Sequence, residues 1–378
     1  MEEPGAVFVA FDTAKTKHAV AVAMPGRDGE VRYLGEVANT PAAVERLVRR
    51  LSERHGRLRC AYEAGPTGYG LHRPLVGLGH ACDVVAPSLI PSRPGERVKT
   101  NRRDAAALAR LHRAGGLTPV WVPDTAHEAM RELVRAREAA QEDPRRKRQQ
   151  LQSFLLRHGR VYGGREPWTR AHVRRLAEQA FGPAPLQLVF QELVDAARDA
   201  EERVARLEGL IAEALPGWSL APLVQAFQAM RGVSAVVAAT VVSEVGDVGR
   251  FESPRQLMAY LGLVPSERST GEAVRRGGLT KAGSRRARRV LVEAAWTYRF
   301  PPRVGVALAR RLENVPKVAR DIAWKAQLRL CARFRRLVAA GKHSNLATAA
   351  IAREIAAFLW AIGRAVSPAG PPAATSAA

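Results

Sequence analysis

The chain has 378 residues, 47% hydrophobic and 25% charged, which is enough apolar mass for two or three domains and excludes a disordered polymer. Lys and Arg number 59 against 36 Asp and Glu, a formal charge of +23, and self-repulsion on that scale implies a polyanionic partner, nucleic acid first. Cys60, Cys82 and Cys331 form no CxxC pair, which excludes a disulfide scaffold and a cysteine zinc site. No signal pattern and no apolar run of the ~20 residues that span a bilayer is legible, so a cytoplasmic protein with no membrane partner is expected.

The first segment reads as α/β. Val7 to Phe11, His18 to Met24 and Val31 to Val37 are short apolar or alternating runs between polar breaks, the pattern of neighbouring strands. Thr40 as N-cap and Pro41 at the first helical position open a helix with Val44, Leu47, Val48 and Leu51 on one face, and Gly56 stops it. Leu58 to Tyr62 is a fourth strand, Leu71 to Leu78 a short helix, Ala81 to Val85 a fifth strand, and Arg103 to Arg113 a helix closed by Gly115 and Gly116. The order βββαβαβα predicts a meander followed by crossover units.

From about Ala126 the texture is long, charge-laced helix, with Asp143-Pro144 and the stretch from Gly163 to Pro167 as expected breaks. Between Leu186 and Ala214, small or apolar residues recur in alternating steps of four and three, a coiled-coil seam that suits a helical hairpin or a dimerising arm. A third segment begins near Pro216. Met230 to Val233, the Ala/Val-rich run to Val245 and Gly246-Asp247 fit either a helix-hairpin-helix that offers N–H groups to a phosphate or an ordinary buried helix with a glycine turn. Residues 275–342 hold 19 Lys or Arg against Glu293, Glu313 and Asp321. The expected partition is therefore a nuclease-like domain at 1–125, a helical coiled-coil arm at 126–215, a mostly α basic domain at 216–365 and a disordered tail at 366–378.

Three carboxylates stand at element edges. Asp12 ends strand one, Glu63 ends strand four, and Asp104 opens a helix. With strands one and four adjacent, Asp12 and Glu63 converge on one rim, and a helix start can set Asp104 beside them. Clustered carboxylates need a cation, and two Mg²⁺ ions on such ligands serve phosphodiester chemistry. The bland reading of each acid is a solvated loop residue or N-cap.

The segments Val9 to Asp12, Tyr62 to Gly68 and Lys99 to Ala105 resemble the RuvC-like, RNase-H-like domain of the IS110 family of insertion-sequence transposases. Tyr260 to Gly271, Gly278 to Gly283 and Trp324 to Gln327 are similar to that family's C-terminal transposase domain, so the likeness runs from about residue 6 to 362. The resemblance implies that Asp12, Glu63 and Asp104 hold Mg²⁺ and that a serine attacks the phosphodiester to form a covalent ester. It also implies that a structured, element-encoded guide RNA pairs with donor and target DNA, and that the two parts complete one site in a homodimer or homotetramer. The family's Asp-Glu-Asp-Asp pattern is broken at Asn101, whose amide oxygen ligates a metal weakly and carries no charge. Ser269-Thr270-Gly271 alone reads as a turn; the resemblance makes Ser269 the nucleophile, with Thr270 in reserve.

The candidate phosphate contacts are Lys99, Arg102, Arg103, Arg275, Arg276, Lys281, Arg285, Arg286, Arg288 and Arg289, since arginine forks suit phosphate oxygens. Trp296, Tyr298 and Trp324 lie among basic residues and are placed for base stacking or core packing. The nine histidines lack ligand spacing and read as structural. The function expected is Mg²⁺-dependent DNA strand cleavage and exchange. The alternatives are a metal-only junction-resolving nuclease and a nucleic-acid-binding protein that has lost catalysis.

Overall fold

The structure, a computed structural model, describes residues 5–91, 100–270 and 273–366. Two compact units divide between Pro123 and Asp124. Lys99 and the tail beyond residue 366 lie outside the described residues.

The first unit is a mixed α/β layer structure. Strands β1 (Val7–Asp12), β2 (Lys17–Ala23) and β3 (Val31–Ala38) form an antiparallel meander. Helix α1 (Pro41–His55) then crosses to β4 (Leu58–Glu63), and α2 (His72–Gly77) crosses to β5 (Ala81–Val85). The sheet order is β3-β2-β1-β4-β5, with β1 parallel to β4 and β4 parallel to β5. Alternation along β1 serves two cores. Val7, Val9 and Phe11 pack with Val44, Val48 and Leu51 of α1. Phe8 and Ala10 pack with Ala105, Leu108 and Ala109 of α3 (Asn101–Arg113). Thr40 caps α1 by accepting from the Ala43 amide, and Pro41 follows at the first turn, where its missing N–H costs nothing. Helix α3 starts two residues earlier than its apolar pattern suggests, because the Thr100 hydroxyl caps it by accepting from the Arg103 amide.

The second unit is mostly helical. Its entry is a hairpin of α4 (Thr125–Arg157) and α6 (Ala184–Ala214), with α5 (Arg170–Ala177) at the far end. Pro144 does not break α4, which runs through it for 33 residues. Buried side chains on both sides of the proline, Met130, Val134 and Ala140 before it and Leu151, Phe154 and Leu155 after it, hold the helix together against the lost hydrogen bond. The regular seam of α6 buries Phe190, Ala197, Ala200 and Ile211 within this unit, and its packing partner is α4 of the same chain.

The remaining helices are α7 (Ala221–Phe227), α8 (Ala235–Val245), α9 (Pro254–Tyr260), α10 (Arg285–Ala295), α11 (Val306–Leu312), α12 (Lys317–Ala339) and α13 (Ser344–Val366). Between α9 and α10 stands a two-stranded antiparallel hairpin of β6 (Pro265–Thr270) and β7 (Ala273–Leu279). Helix α13 corrects the expectation that no apolar run is long enough to cross a bilayer, since its 23 residues suffice by length and composition. Its buried residues, among them Ile351, Ile355, Leu359 and Ile362, belong to the core with α7, α9, α10 and α12. The turn at Gly232 is likewise a core feature. Its φ is +81°, and a Cβ there would lie 2.6 Å from the Ala294 carbonyl and 2.9 Å from the Thr297 hydroxyl. The turn faces α10 rather than an open phosphate site, and Ala238 to Val245 of the following helix are all buried.

Candidate functional site

In the first unit, the parallel register of β1 and β4 pairs Phe11 with Tyr62. Asp12 and Glu63 are each one residue further on, at the carboxyl ends of adjacent strands, and both are half-buried. Helix α3 runs against β1 in the opposite direction. Its last turn is held where Arg113 donates to the carbonyls of Met24 and Gly29, beside the start of β1. Its first turn, with Asn101 and half-buried Asp104, therefore lies toward the rim that carries Asp12 and Glu63. The donor set is carboxylate and amide oxygen, the hard oxygen chemistry that Mg²⁺ prefers. The convergence stops short of a cage. Among the described residues, no three His, Cys, Asp or Glu side chains form a group placed to hold one ion.

In the second unit, the β6–β7 hairpin presents Ser269 in solvent. Its base is fixed by two left-handed glycines. Any Cβ on Gly262 would collide with Ala282, and any Cβ on Gly283 would collide with the Tyr260 carbonyl, so the two ends of the hairpin meet only through glycine. Register pairs Glu267 with Arg276, Arg268 with Arg275, Ser269 with Val274 and Thr270 with Ala273. Strand alternation then sorts the side chains. Glu267, Ser269, Val274 and Arg276 share one face; Arg268, Thr270, Ala273 and Arg275 share the other. On the first face the Ser269 hydroxyl donates to Oε1 of Glu267 at 2.7 Å, and Arg276 Nε stands 3.5 Å from Glu267 Oε2.

Glu267 went unread at the sequence level, where Ser269-Thr270-Gly271 alone reads as a turn. The available signal was the i, i+2 spacing in Glu267-Arg268-Ser269, which only a strand converts into contact. Arg268 was also missed.

The basic block is less free than its composition implies. Arg286 and Arg289 both pair with Glu138 of α4, Arg289 also with Glu293, and Arg288 donates to the carbonyls of Leu261 and Ala282. These three arginines hold α10 to its surroundings. Arg276 is engaged by Glu267. Among the described residues, Arg268, Arg275, Lys281 and Arg285 are exposed cations without an ion-pair partner. In the first unit Arg102 and Arg103 are exposed on the first turn of α3, and Arg102 lies over the Tyr33 ring at 5.6 Å. Tyr298 is fully buried and belongs to the core, Trp296 is half-buried under Arg299, and Trp324 is 43% exposed. Five of the histidines, His18, His80, His112, His127 and His172, are buried.

The architecture places the chain in the class of mixed α/β proteins with a large helical second unit. Residues 224–304 match the family model described as transposase IS116/IS110/IS902 family, and residues 9–159 match a second family model, described as transposase. A putative transposase, y4qE, of Sinorhizobium fredii is 56% identical over 94% of this chain and 88% of its own length. The transposase for insertion sequence element IS1533 of Leptospira borgpetersenii is 29% identical over 88% of this chain and 96% of its own. The chain belongs to the IS110/IS116 family of transposases, and its role is in DNA transposition.

Proposed function

We propose that the chain cleaves and rejoins DNA strands at its insertion element through a serine–DNA ester, with Ser269 as the nucleophile. The observation that carries this reading is the Ser269 hydroxyl held at 2.7 Å by a carboxylate on a solvent-facing hairpin. A free serine hydroxyl is a weak nucleophile at neutral pH, and an adjacent base is the usual remedy. Thr270, on the opposite face, lacks that carboxylate, which favours Ser269 of the two. Of the unpaired cations, Arg268 and Arg275 stand on the other face of this hairpin and Lys281 and Arg285 follow it in the chain, and all four suit phosphate oxygens.

The first unit is read as an RNase-H-like domain, a reading supported by its β3-β2-β1-β4-β5 order and the acids at the ends of β1 and β4. Asp12, Glu63 and Asp104, with Asn101 as a weak fourth donor, would hold Mg²⁺, whose charge stabilises the oxygens of a reacting phosphodiester. Asp12 and Glu63 orient that group from two neighbouring strands, and Asp104 adds its ligand from the start of a helix. Pairing with an element-encoded guide RNA is part of the same proposal, supported by the +23 charge. So is assembly as a dimer or tetramer, supported by Leu188, Val189 and Leu210, which the hairpin leaves exposed on α6.

The test is excision of the element in cells by the wild type and by Ser269→Ala. The serine reading expects excision to vanish with the hydroxyl. Persistence would transfer the reaction to a water nucleophile and a metal-only nuclease.

A further inference from the structure

Ser269 and Glu267 are neighbours by strand geometry, not by accident of a flexible loop. Residues two apart on a strand point the same way, and the register of β6 with β7 fixes which strand face they occupy. The 2.7 Å separation is in the usual range for a hydroxyl donating to a carboxylate. The two oxygens of Glu267 have different partners. Oε1 accepts from Ser269, and Oε2 faces Arg276 across the hairpin. The other described charged side chains of the pair, Arg268 and Arg275, lie on the opposite face, so among the described residues of the hairpin Arg276 is the one charge that shares the face of Glu267. The hydrogen bond from Ser269 holds the Glu267 carboxyl below the ordinary carboxylate range against desolvation, and Arg276 adds to the lowering. It is therefore ionised at neutral pH, and its Oε1 already accepts the Ser269 hydrogen bond.

We infer that Glu267 is the general base that activates Ser269, and that the carboxylate, by its place on the strand, selects Ser269 over Thr270 as the attacking hydroxyl. The inference rests on the reading of Ser269 as nucleophile. In the step, a bond forms between Ser269 Oγ and the DNA phosphorus while the hydroxyl proton moves to Glu267 Oε1. The phosphorus–oxygen bond to one DNA strand breaks, and the departing oxygen keeps the electron pair and takes a proton from solvent water. On rejoining, a DNA hydroxyl attacks the phosphorus of the phosphoserine and gives up its proton to solvent, while the bond to Oγ breaks and Glu267 returns its proton to Oγ. Arg276 keeps Oε2 occupied, so the oxygen that faces the hydroxyl is the one free to act.

A fluorophosphonate probe tests this on the full-length chain without DNA or metal, because it is a phosphorus electrophile that carries its own leaving group. Labelling is followed by peptide mass for the wild type, Glu267→Gln, Ser269→Ala and Thr270→Ala. Glu267 is exposed, and glutamine keeps an acceptor oxygen in place, so Glu267→Gln preserves the fold and the serine's position while removing the base. The wild type should label at Ser269 at a rate that is flat at neutral pH and falls as the carboxyl protonates in acid. Glu267→Gln should label about 10²-fold or more slowly, with a rate that climbs with pH. Thr270→Ala should match the wild type. Labelling of Glu267→Gln at the wild-type rate, or failure of the wild type to label at Ser269, would overturn the assignment. Excision by Ser269→Ala in cells separates the two layers. If it is abolished while Glu267→Gln labels normally, only the base is wrong; if it persists, the nucleophile reading itself fails.

Discussion

At the scale of single residues, the acids of the first unit make a different demand from the serine of the second. Asp12 and Glu63 end adjacent parallel strands, so removing either takes a charged donor from the rim without opening a core. Asp12→Ala and Glu63→Ala should each abolish strand cleavage and leave nucleic-acid binding intact, measured as turnover and as retention of labelled DNA on the same preparation. Asn101 is exposed on the first turn of α3, one helical turn before Asp104. Asn101→Asp adds a charged oxygen donor and should lower the Mg²⁺ concentration for half-maximal cleavage; an unchanged requirement would remove Asn101 from the metal. The strand-end acids were legible in the sequence because a polar residue that ends an apolar run announces itself. Glu267 was not, because Ser269-Thr270-Gly271 reads as a turn, and only the β6–β7 register converts an i, i+2 spacing into a 2.7 Å hydrogen bond.

At the scale of elements, the α4–α6 hairpin shows what periodicity specifies and what it leaves open. The recurrence from Leu186 to Ala214 fixes a seam on α6 but cannot name the helix that fills it, and the partner is α4 of the same chain. The proline in α4 shows the converse. Local propensity places a break at Pro144, yet packing on both flanks carries the helix through. The position therefore bears a real cost. Pro144→Ala restores a backbone donor and removes the ring's clash with the preceding turn, and should stabilise the second unit by up to about 3 kcal/mol, read as a higher denaturant midpoint. A lower midpoint would mean that the proline ring contributes packing. The basic block teaches a related lesson. A run of arginines on α10 looks like a phosphate surface, but Glu138, distant in sequence, claims Arg286 and Arg289.

For the whole molecule, a charge of +23 favours a polyanionic partner, and near the β6–β7 hairpin the pairing pattern leaves four exposed cations for it. Replacing the unpaired Arg268, Arg275, Lys281 and Arg285 by glutamine should weaken binding to all DNA sequences alike. It should also make the log–log salt dependence on duplex shallower by about four if each contacts one phosphate. An unchanged slope would exclude them from the backbone contact. Arg286→Gln should instead lower thermal stability, because its guanidinium is engaged by α4. Composition made the partner's charge plain from the start, whereas the division of labour among arginines needed the fold.

The proposed covalent attachment of a DNA strand to Ser269 is open to direct capture. A nicked duplex carrying the element's own end, incubated with the full-length protein, the element's RNA and Mg²⁺, should trap a protein–DNA adduct because the short strand beyond the nick diffuses away before it can be rejoined. Digestion and peptide mass spectrometry should place the nucleotide remnant on Ser269, with none formed by Ser269→Ala. Attachment at Thr270 would move the nucleophile to the wrong face of the hairpin, and an actively cleaving sample with no adduct would contradict the account outright.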